Sequence, residues 1–304
     1  MALVCYVKSL RISTVSDERW LTAWHIPLTF IQDFTNNSSL KRRWLSDTYE
    51  PVVYTDVVDK PDRWIICNHK AFGYYRVDYD EINWDLIQNQ LQTNHTQIHV
   101  LNRAKLIDDA FNLAVKYQGY IPTSLNMTYK RALDLTAYLK KELDWLPWET
   151  AYRNFEKLQN LLLGTEAGAL LNSHIQSLAL HLYDLYSFNE DPLDKHLDLL
   201  LRTIVVKIAC GTNFAPCVKE VKKIFDWKKI WYGEDESYVD YGKRFSRITP
   251  NLKSAIICTG MKHFGTAHHF HFLIGRYLST NVATERGHIL SGLTCTNDIL
   301  LLRR

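Results

Sequence analysis

The first eighty residues of the chain place apolar side chains at alternate positions in short runs. Residues 20–34 show this alternation, and the stretches 49–58 and 63–79 continue it. Groups of turn-forming residues at 36–39 and 59–62 separate the runs. Short strands at such intervals are typical of two packed antiparallel sheets. The pattern therefore predicts a small antiparallel β-sandwich at the beginning of the chain.

Beyond this region the apolar positions follow the period of an α-helix. Ile107, Ala110 and Phe111 recur at i, i+3 and i+4, as on one helix face. The same rule holds in the stretches 148–162, 171–182 and 197–208. Helices of this length with short polar links predict stacked helical hairpins, a solenoid-like layer. We therefore predict a multidomain chain, with a β-sandwich domain at 1–82 and an α-helical C-terminal domain at 83–304.

Composition and charge limit the classes of partner. The chain has 304 residues, of which 46% are hydrophobic and 23% charged, as in ordinary globular proteins. Its net charge of +3 is too small to indicate a nucleic-acid partner. The longest apolar stretch, 199–209, contains Arg202 and Lys207, so no segment is expected to cross a bilayer. No signal peptide and no membrane anchor are expected in this chain.

Several stretches of the sequence match one protein family in the same order. The stretch GYYRVDYD lies at 73–80, followed by Asn83 and Trp84. The others are WHIPLTF at 24–30, NRAKLIDDAFNLA at 102–114, YLKKELDWLPW at 138–148, ACGTNFAPC at 209–217, NLKSAIICTG at 251–260 and LTCTNDILLLRR at 293–304. Together they resemble the C-terminal part of the gluzincin zinc aminopeptidases, such as aminopeptidase N and glutamyl aminopeptidase. The resemblance implies that 73–80 ends a β-sandwich and begins a helical domain.

The matching residues also have plain structural explanations. Arg103, Asp108 and Asp109 are expected in helix-surface or inter-helix ion pairs, which contribute little where they are exposed. Gly73 is expected to supply a backbone conformation or a close approach that a side chain would forbid. Core or interface positions are expected for four aromatic residues: Tyr74, Tyr75, Trp145 and Trp148.

The chain lacks the residues on which catalysis in this family depends. The family holds zinc with His-Glu-x-x-His and a later Glu, yet none of the twelve histidines here precedes a glutamate. The HHFHF stretch could place His268 and His271 on one helix face, but no carboxylate or Cys lies at a matching spacing. We therefore assign no catalytic residue and no metal ligand. The chain alone is expected to be inactive, whereas zinc is implied for the full-length family protein.

The cysteines are interpreted as structural. None of the six forms a Cys-x-x-Cys pair. The family pattern implies two disulfides, Cys210–Cys217 and Cys258–Cys295, and the alternative is two pairs of reduced, buried thiols. In one straight helix the first pair would lie about 10 Å apart, so a bond requires a turn between them. The remaining two, Cys5 and Cys67, fall outside the family pattern and are interpreted as unpaired.

Four Asn-x-Ser/Thr triplets are candidate glycosylation sites. They begin at Asn36, Asn37, Asn94 and Asn126. Together with two disulfides they indicate a secretory or cell-surface compartment, because both modifications belong to that environment. The full-length protein is therefore expected at the cell surface or outside the cell.

The resemblance implies one function and leaves a second open. In the first interpretation the chain is a fragment, without the zinc domain and the last helices, of a membrane-type zinc aminopeptidase that removes N-terminal residues from peptides. This part would close the substrate chamber and support the catalytic domain. Peptide substrates are expected to bind to the missing catalytic domain. A homodimer is left open as the assembly. The alternative is a non-catalytic interaction or receptor module derived from the same family.

Overall fold

A computed structural model describes residues 5–8, 25–32, 40–45, 62–117, 127–225 and 248–303 of the chain. The candidate glycosylation sites Asn36, Asn37 and Asn126 lie outside these residues. The chain forms two units, residues 1–156 and 157–304, and each is described separately below.

The described strands of the first unit are all antiparallel to their neighbours. They are β1 (Cys5–Lys8), β2 (Ile26–Gln32), β3 (Lys41–Leu45), β4 (Ile65–Cys67) and β5 (Arg76–Tyr79). Strand β1 pairs with β5, and β2 lies between β3 and β4 in a three-stranded sheet. Phe30 on β2 faces Cys67 on β4, and both side chains are buried. The prediction of a small antiparallel β-structure is confirmed, whereas the sandwich arrangement stays a prediction.

Helices follow the strands directly. The described helices that begin in the first unit are α1 (Glu81–Asn94), α2 (Val100–Tyr117), α3 (Tyr129–Leu135) and α4 (Trp145–Leu161), the last of which continues past residue 156. The carboxylate of Asp80 caps α1 by accepting a hydrogen bond from the backbone N–H of Asn83 at 2.7 Å. The change of period in the sequence thus corresponds to the change from strand to helix at Asp80. The domain boundary between residues 82 and 83 stays a prediction.

Side chains at the start of α1 attach it to the strands. The amide of Asn83 accepts a hydrogen bond from the N–H of Ile65 and donates one to its carbonyl, each at 2.9 Å. Trp84 packs edge-on against Tyr79, with ring centroids 4.9 Å apart, and its indole N–H donates to Asp78 at 3.0 Å. Because Asn83 and Trp84 are buried, these bonds fix where the helix leaves the β-structure.

All described secondary-structure elements of the second unit are helices, which turns and loops connect. Its helices are α5 (Glu166–Leu185), α6 (His196–Gly211), α7 (Ala215–Ile224), α8 (Lys253–Phe264), α9 (Ala267–Ser279), α10 (Ala283–Leu293) and α11 (Ile299–Leu302). Helix α5 packs against α6, and α8 packs against α6, α7 and α10. None of the helices within the described ranges combines the length and apolar character that a membrane crossing needs. The solenoid-like stacking stays a prediction.

Two glycines allow close contacts around α8. A Cβ atom on Gly292 of α10 would lie 2.2 Å from the side chain of Ile257 on α8. A Cβ atom on Gly260 of α8 would lie 2.2 Å from the ring of Phe225. Larger residues at these positions would therefore separate α8 from its neighbours.

Disulfides join the helices of the second unit. Cys210 at the end of α6 is bonded to Cys217 on α7 across a turn in which Asn213 has a φ of 61°, and Cys258 on α8 is bonded to Cys295 after α10. The Cα–Cα distances are 5.2 and 5.1 Å. These are the two pairs that the family resemblance implies.

One cysteine outside those pairs differs from expectation. Cys67 is disulfide-bonded, so its interpretation as unpaired is wrong. The family pattern could not reveal this bond, because that pattern accounts only for the cysteines that match the family. Cys67 is 1% exposed on β4, where a covalent cross-link is shielded from solvent. The side chain of Cys5 lies outside those that the structure describes.

We predict that the two disulfides of the second unit differ in reactivity. Cys210 and Cys217 are 1% and 0% exposed, whereas Cys258 and Cys295 are only partly buried. Since thiol–disulfide exchange requires access to a sulfur atom, a limiting amount of reductant should open Cys258–Cys295 several-fold faster. Timed alkylation followed by peptide mass spectrometry measures both rates. Equal rates, or faster opening of Cys210–Cys217, would contradict the prediction.

Candidate functional site

Two of the matching stretches meet where β5 crosses α2. The guanidinium of Arg76 on β5 contacts the carboxylates of Asp108 and Asp109 on α2. The backbone N–H of Val77 also donates to Asp109 at 3.1 Å, and the ammonium of Lys105 donates to the same carboxylate at 2.7 Å. A strand and a helix that are about thirty residues apart in sequence are thus joined by charged hydrogen bonds.

Asp109 is the centre of this junction and is only 2% exposed. Burial raises the pKa of its carboxyl group, while the charges of Lys105 and Arg76 act in the opposite direction. Its oxygens are occupied by hydrogen bonds from a lysine, an arginine and a backbone N–H. The arrangement holds β5 against α2.

A second buried ion pair joins α2 to the segment before α4. Arg103 donates to both oxygens of Glu142, through Nε at 2.7 Å and through a terminal nitrogen at 3.2 Å. It also contacts Asp144 and donates to the carbonyl oxygens of Ile98 at 2.7 Å and His95 at 3.4 Å. Arg103 is 3% exposed and Glu142 is 0% exposed. The sequence predicted that Arg103 forms an ion pair either on a helix surface or between helices. The pair is buried, which excludes the helix-surface position.

Glu142 extends this network into α4. Its carbonyl oxygen accepts a hydrogen bond from the indole N–H of Trp148 at 3.0 Å, and its carboxylate accepts from the N–H groups of Leu143 and Asp144. Trp148 is completely buried, as expected, and Trp145 is partly exposed. The stretches at 102–114 and 138–148 therefore contribute to one polar network inside the first unit.

A tight loop precedes β5 and is held by one asparagine. The amide of Asn68 donates to the carbonyl oxygens of Gly73 at 2.8 Å and Tyr75 at 3.1 Å, and it accepts from the N–H of Gly73 at 2.8 Å. Asn68, Lys70 and Ala71 all have φ between 55° and 58°, a left-handed conformation that L-residues seldom adopt. A Cβ atom on Gly73 would lie 2.2 Å from the ring of Tyr75, so the expected close approach is present.

Neighbouring aromatic residues of this loop have opposite environments. Tyr75 is 8% exposed, donates its hydroxyl to the carbonyl of Pro27 at 3.0 Å, and has its pKa raised to about 12 by burial. Tyr74 is fully exposed and Phe72 is 71% exposed. Of the core or interface position expected for Tyr74, the core position is wrong, and the interface position stays a prediction. In an extended segment successive side chains point to opposite sides, so only one of two adjacent tyrosines could enter the core.

We call Phe72 and Tyr74 together the aromatic tip. Inspection of the sequence did not identify it, although the period-two alternation required one of the tyrosines to point outward. The side chains are exposed, yet the backbone beneath them is fixed by Asn68 and by the N–H of Lys70, which donates to Asn102 on α2 at 2.6 Å. Exposed aromatic groups on a rigid loop are suited to contact another molecule.

The histidine-rich stretch forms the first turn of α9. His269 accepts a hydrogen bond at Nδ1 from the N–H of Thr266 at 3.1 Å and stacks on Phe225 with centroids 5.1 Å apart. Its pKa is lowered by burial and, to a smaller extent, by the charge of His268. His268 and His271 are exposed. In the described part of the chain no group of three His, Cys, Asp or Glu residues is placed to hold a metal ion.

Two arginines, buried Arg202 and partly exposed Arg276, also connect helices in the second unit. Arg202 on α6 donates to the carbonyl of Ser187 at 3.0 Å and contacts Asp194. Arg276 on α9 donates to both oxygens of Glu285 on α10, at 2.9 and 3.2 Å. Burial alone would raise the pKa of Glu285, but hydrogen bonds from Arg276 and Thr280 outweigh it and lower that pKa. Each arginine thus fixes the connection between two successive helices.

Substitution of Arg103 should strongly destabilise the first unit. Arg103→Met leaves the buried carboxylate of Glu142 without its partner, and we expect a loss of about 3–5 kcal/mol in the free energy of unfolding. The double variant R103M/E142M should lose much less than the sum of the single variants, because it leaves no unpaired buried charge. Urea unfolding followed by tryptophan fluorescence measures each value.

The control for this experiment is an exposed pair in the same unit. Arg131 contacts Glu81 and Asp85, whose side chains are 62% and 65% exposed. Arg131→Met should therefore cost less than about 1 kcal/mol. Similar losses for the Arg103 and Arg131 variants would show that the Arg103 pair does not have the structural weight assigned to it.

Acidification should weaken the second unit through His269. Because its folded-state pKa lies below the ordinary value of 6.5, the unfolded chain binds the proton first as the pH falls. The free energy of unfolding should therefore decrease as the pH is lowered from about 7.5 through about 6.5 and toward the folded-state pKa. His269→Gln should show a smaller decrease. An identical pH dependence of urea unfolding in the variant and the unmodified chain would refute this role.

Comparison with known proteins places these features in a family. A sequence model described as the ERAP1-like C-terminal domain matches residues 64–304. Aminopeptidase N of Plutella xylostella is 29% identical over 294 residues, which are 95% of this chain and 28% of that protein. The thyrotropin-releasing hormone-degrading ectoenzyme of Rattus norvegicus is 30% identical over 92% of this chain and 25% of its own length. Human aminopeptidase N is 26% identical over 92% of this chain and 27% of its own length.

The chain therefore spans about a quarter of the length of the curated relatives it matches. The family match includes β4, the loop before β5 and every described helix. It also includes both buried ion pairs of the first unit and both disulfides of the second. This chain belongs to the ERAP1-like C-terminal domain family of the aminopeptidases.

Proposed function

We propose that this chain is the C-terminal region of a membrane-type zinc aminopeptidase, an enzyme that removes N-terminal residues from peptides. The proposal is carried by the similarity to aminopeptidases over more than nine tenths of the chain. In the longer protein this region would close the substrate chamber and support the catalytic domain. Helical hairpins stacked as a solenoid-like layer would suit that role, because such layers form concave surfaces.

The contacts of the matching residues support a scaffolding role. Arg76 and Asp109 join β5 to α2, and Arg103 and Glu142 join α2 to the segment before α4. Groups used for chemistry are held near a substrate, whereas these are largely buried and directed at one another. We infer that the matching stretches maintain the shape of this region and take no part in peptide hydrolysis.

Zinc in this proposal belongs to another part of the longer protein. The described residues of this chain do not fit a zinc site, since they bring no set of three ligand groups together. That no position of this chain is a catalytic residue or a metal ligand stays a prediction from its sequence. Peptide substrates would meet the metal in the catalytic domain, with this region limiting their access.

Location and assembly follow the same proposal. The disulfides favour an oxidising compartment, so we place the full-length protein at the cell surface or in the secreted fraction. A rat relative is itself named an ectoenzyme. We propose a homodimer as the assembly of the full-length protein. The net charge of +3 gives no reason to propose a nucleic-acid partner.

A chimaeric enzyme tests the proposed role. The matching C-terminal segment of Plutella xylostella aminopeptidase N would be replaced by this chain, and the secreted product assayed on an aminoacyl chromogenic substrate. We expect activity comparable with the parent enzyme, because this region would supply the support that the catalytic domain needs. The same enzyme without any C-terminal segment is the negative control, and a chimaera carrying Arg103→Met should lose thermal stability together with activity.

The decisive result concerns folded protein only. A chimaera that is secreted, unfolds cooperatively and is still no more active than the truncated control would exclude a supporting role. A chimaera that is not secreted would be compared with the isolated chain by thermal unfolding. A stable isolated chain would then show that the failure lies in the proposed contact with the catalytic domain.

The second candidate function is a non-catalytic interaction or receptor module of the same ancestry. The exposed aromatic tip favours it, because Phe72 and Tyr74 are available to bind a protein partner. The sequence of the transcript upstream of Met1 distinguishes the two functions. An in-frame His-Glu-x-x-His motif supports the aminopeptidase, and an intact transcript without that motif supports the interaction module.

A further inference from the structure

We propose that Asn94 carries an N-linked oligosaccharide. Asn94, His95 and Thr96 form an Asn-x-Thr triplet at the end of α1, where the chain turns toward α2. The inference rests on the secretory location that is part of the proposed function. It adds a specific modified atom, Nδ2 of Asn94, which none of the comparisons assigns.

The folded geometry presents the two essential groups of the triplet together. The hydroxyl of Thr96 donates a hydrogen bond to Oδ1 of Asn94 at 2.7 Å. Both side chains are exposed, and the short 3₁₀ turn His95–Gln97 follows directly. The backbone carbonyl of Asn94 accepts a hydrogen bond from the side-chain amide of Gln90 at 2.8 Å. This bond fixes the end of the helix without using Nδ2 of Asn94.

The inner side of the same turn is anchored. Arg103 binds the carbonyl oxygens of His95 and Ile98, and the side chain of Ile98 is completely buried. The turn therefore has a fixed inner face and an exposed outer face that contains Asn94 and Thr96. An oligosaccharide on Nδ2 would extend into solvent and displace no buried side chain.

The chemistry requires a donor of one class, an oligosaccharide linked to a lipid pyrophosphate. A bond forms between Nδ2 of Asn94 and the anomeric carbon of the first sugar. The bond between that carbon and the pyrophosphate oxygen breaks, and the lipid pyrophosphate leaves with the bonding electron pair. Nδ2 loses one proton to solvent, which balances the negative charge gained by the lipid pyrophosphate, and no atom is oxidised or reduced.

The other three triplets provide an internal comparison. Those at Asn36, Asn37 and Asn126 lie outside the described residues, and their glycosylation stays a prediction from sequence. The triplet that begins at Asn94 lies within the described residues, and its asparagine is exposed. The hydroxyl of Thr96, the third residue of this triplet, donates a hydrogen bond to Asn94. The exposure of Asn94 and its contact with Thr96 support the proposal that this site is glycosylated.

The test uses the full 304-residue chain. It would be expressed behind a cleavable signal peptide in eukaryotic cells and compared with Asn94→Gln, Thr96→Val and Thr96→Ser. Thr96→Val keeps the shape of threonine and removes the hydroxyl, whereas Thr96→Ser retains the hydroxyl and is the matched control. We expect the unmodified chain and Thr96→Ser to carry an oligosaccharide at Asn94. Asn94→Gln and Thr96→Val should each lose one oligosaccharide.

Occupancy is measured by peptide mass spectrometry after digestion with a peptide-N-glycosidase, which converts a glycosylated Asn to Asp. An Asn94 peptide that stays unmodified in the secreted, folded chain would overturn this inference, while sugars at other triplets would leave the secretory location intact. The native protein is then analysed in the same way. Unmodified triplets and reduced cysteines throughout that protein would instead contradict the proposed location. Thermal unfolding of each variant confirms that a lost sugar does not reflect a lost fold.

Discussion

The first unit depends on one buried contact, the bidentate pair of Arg103 and Glu142. Removing two charges from water costs several kcal/mol per ion, so such a pair is tolerated only when every donor and acceptor around it is used. Here the guanidinium also binds two backbone carbonyls, and the carboxylate accepts two backbone N–H groups. The pair therefore organises three segments at once: the turn before α2, α2 itself and the entry to α4.

The second unit repeats this device with different residues. Arg202 fixes the segment between α5 and α6, and Arg276 fixes the connection between α9 and α10 through Glu285. A guanidinium suits this position because its planar donors can satisfy a carboxylate and carbonyl oxygens together. Disulfides join further helices of that unit covalently. Helical connections in both units are thus defined by specific polar or covalent bonds in addition to apolar packing.

Local pattern explains what could be predicted from the sequence. The stripe of Ile107, Ala110 and Phe111 identified α2, and the change of period placed the transition within a few residues of its position at Asp80, because both signals lie within a few neighbouring residues. The resemblance supplied two disulfide pairs. Burial of Arg103 could not be predicted, since its partner is 39 residues away. The exposure of Tyr74 and the bond at Cys67 likewise depend on tertiary neighbours.

The loop before β5 has a consequence for molecular recognition. Left-handed backbone at Asn68, Lys70 and Ala71 is costly for residues with a Cβ atom, by roughly 1–3 kcal/mol each, so the surrounding bonds must compensate during folding. This conformational free energy is offset when the chain folds, before any partner molecule binds. A molecule that docks on the rings of Phe72 and Tyr74 would meet a preorganised surface and would lose little affinity to ordering this backbone. Replacing Lys70 by glycine would relieve strain in the folded state while giving the unfolded chain more conformational freedom, so the two effects on stability oppose each other.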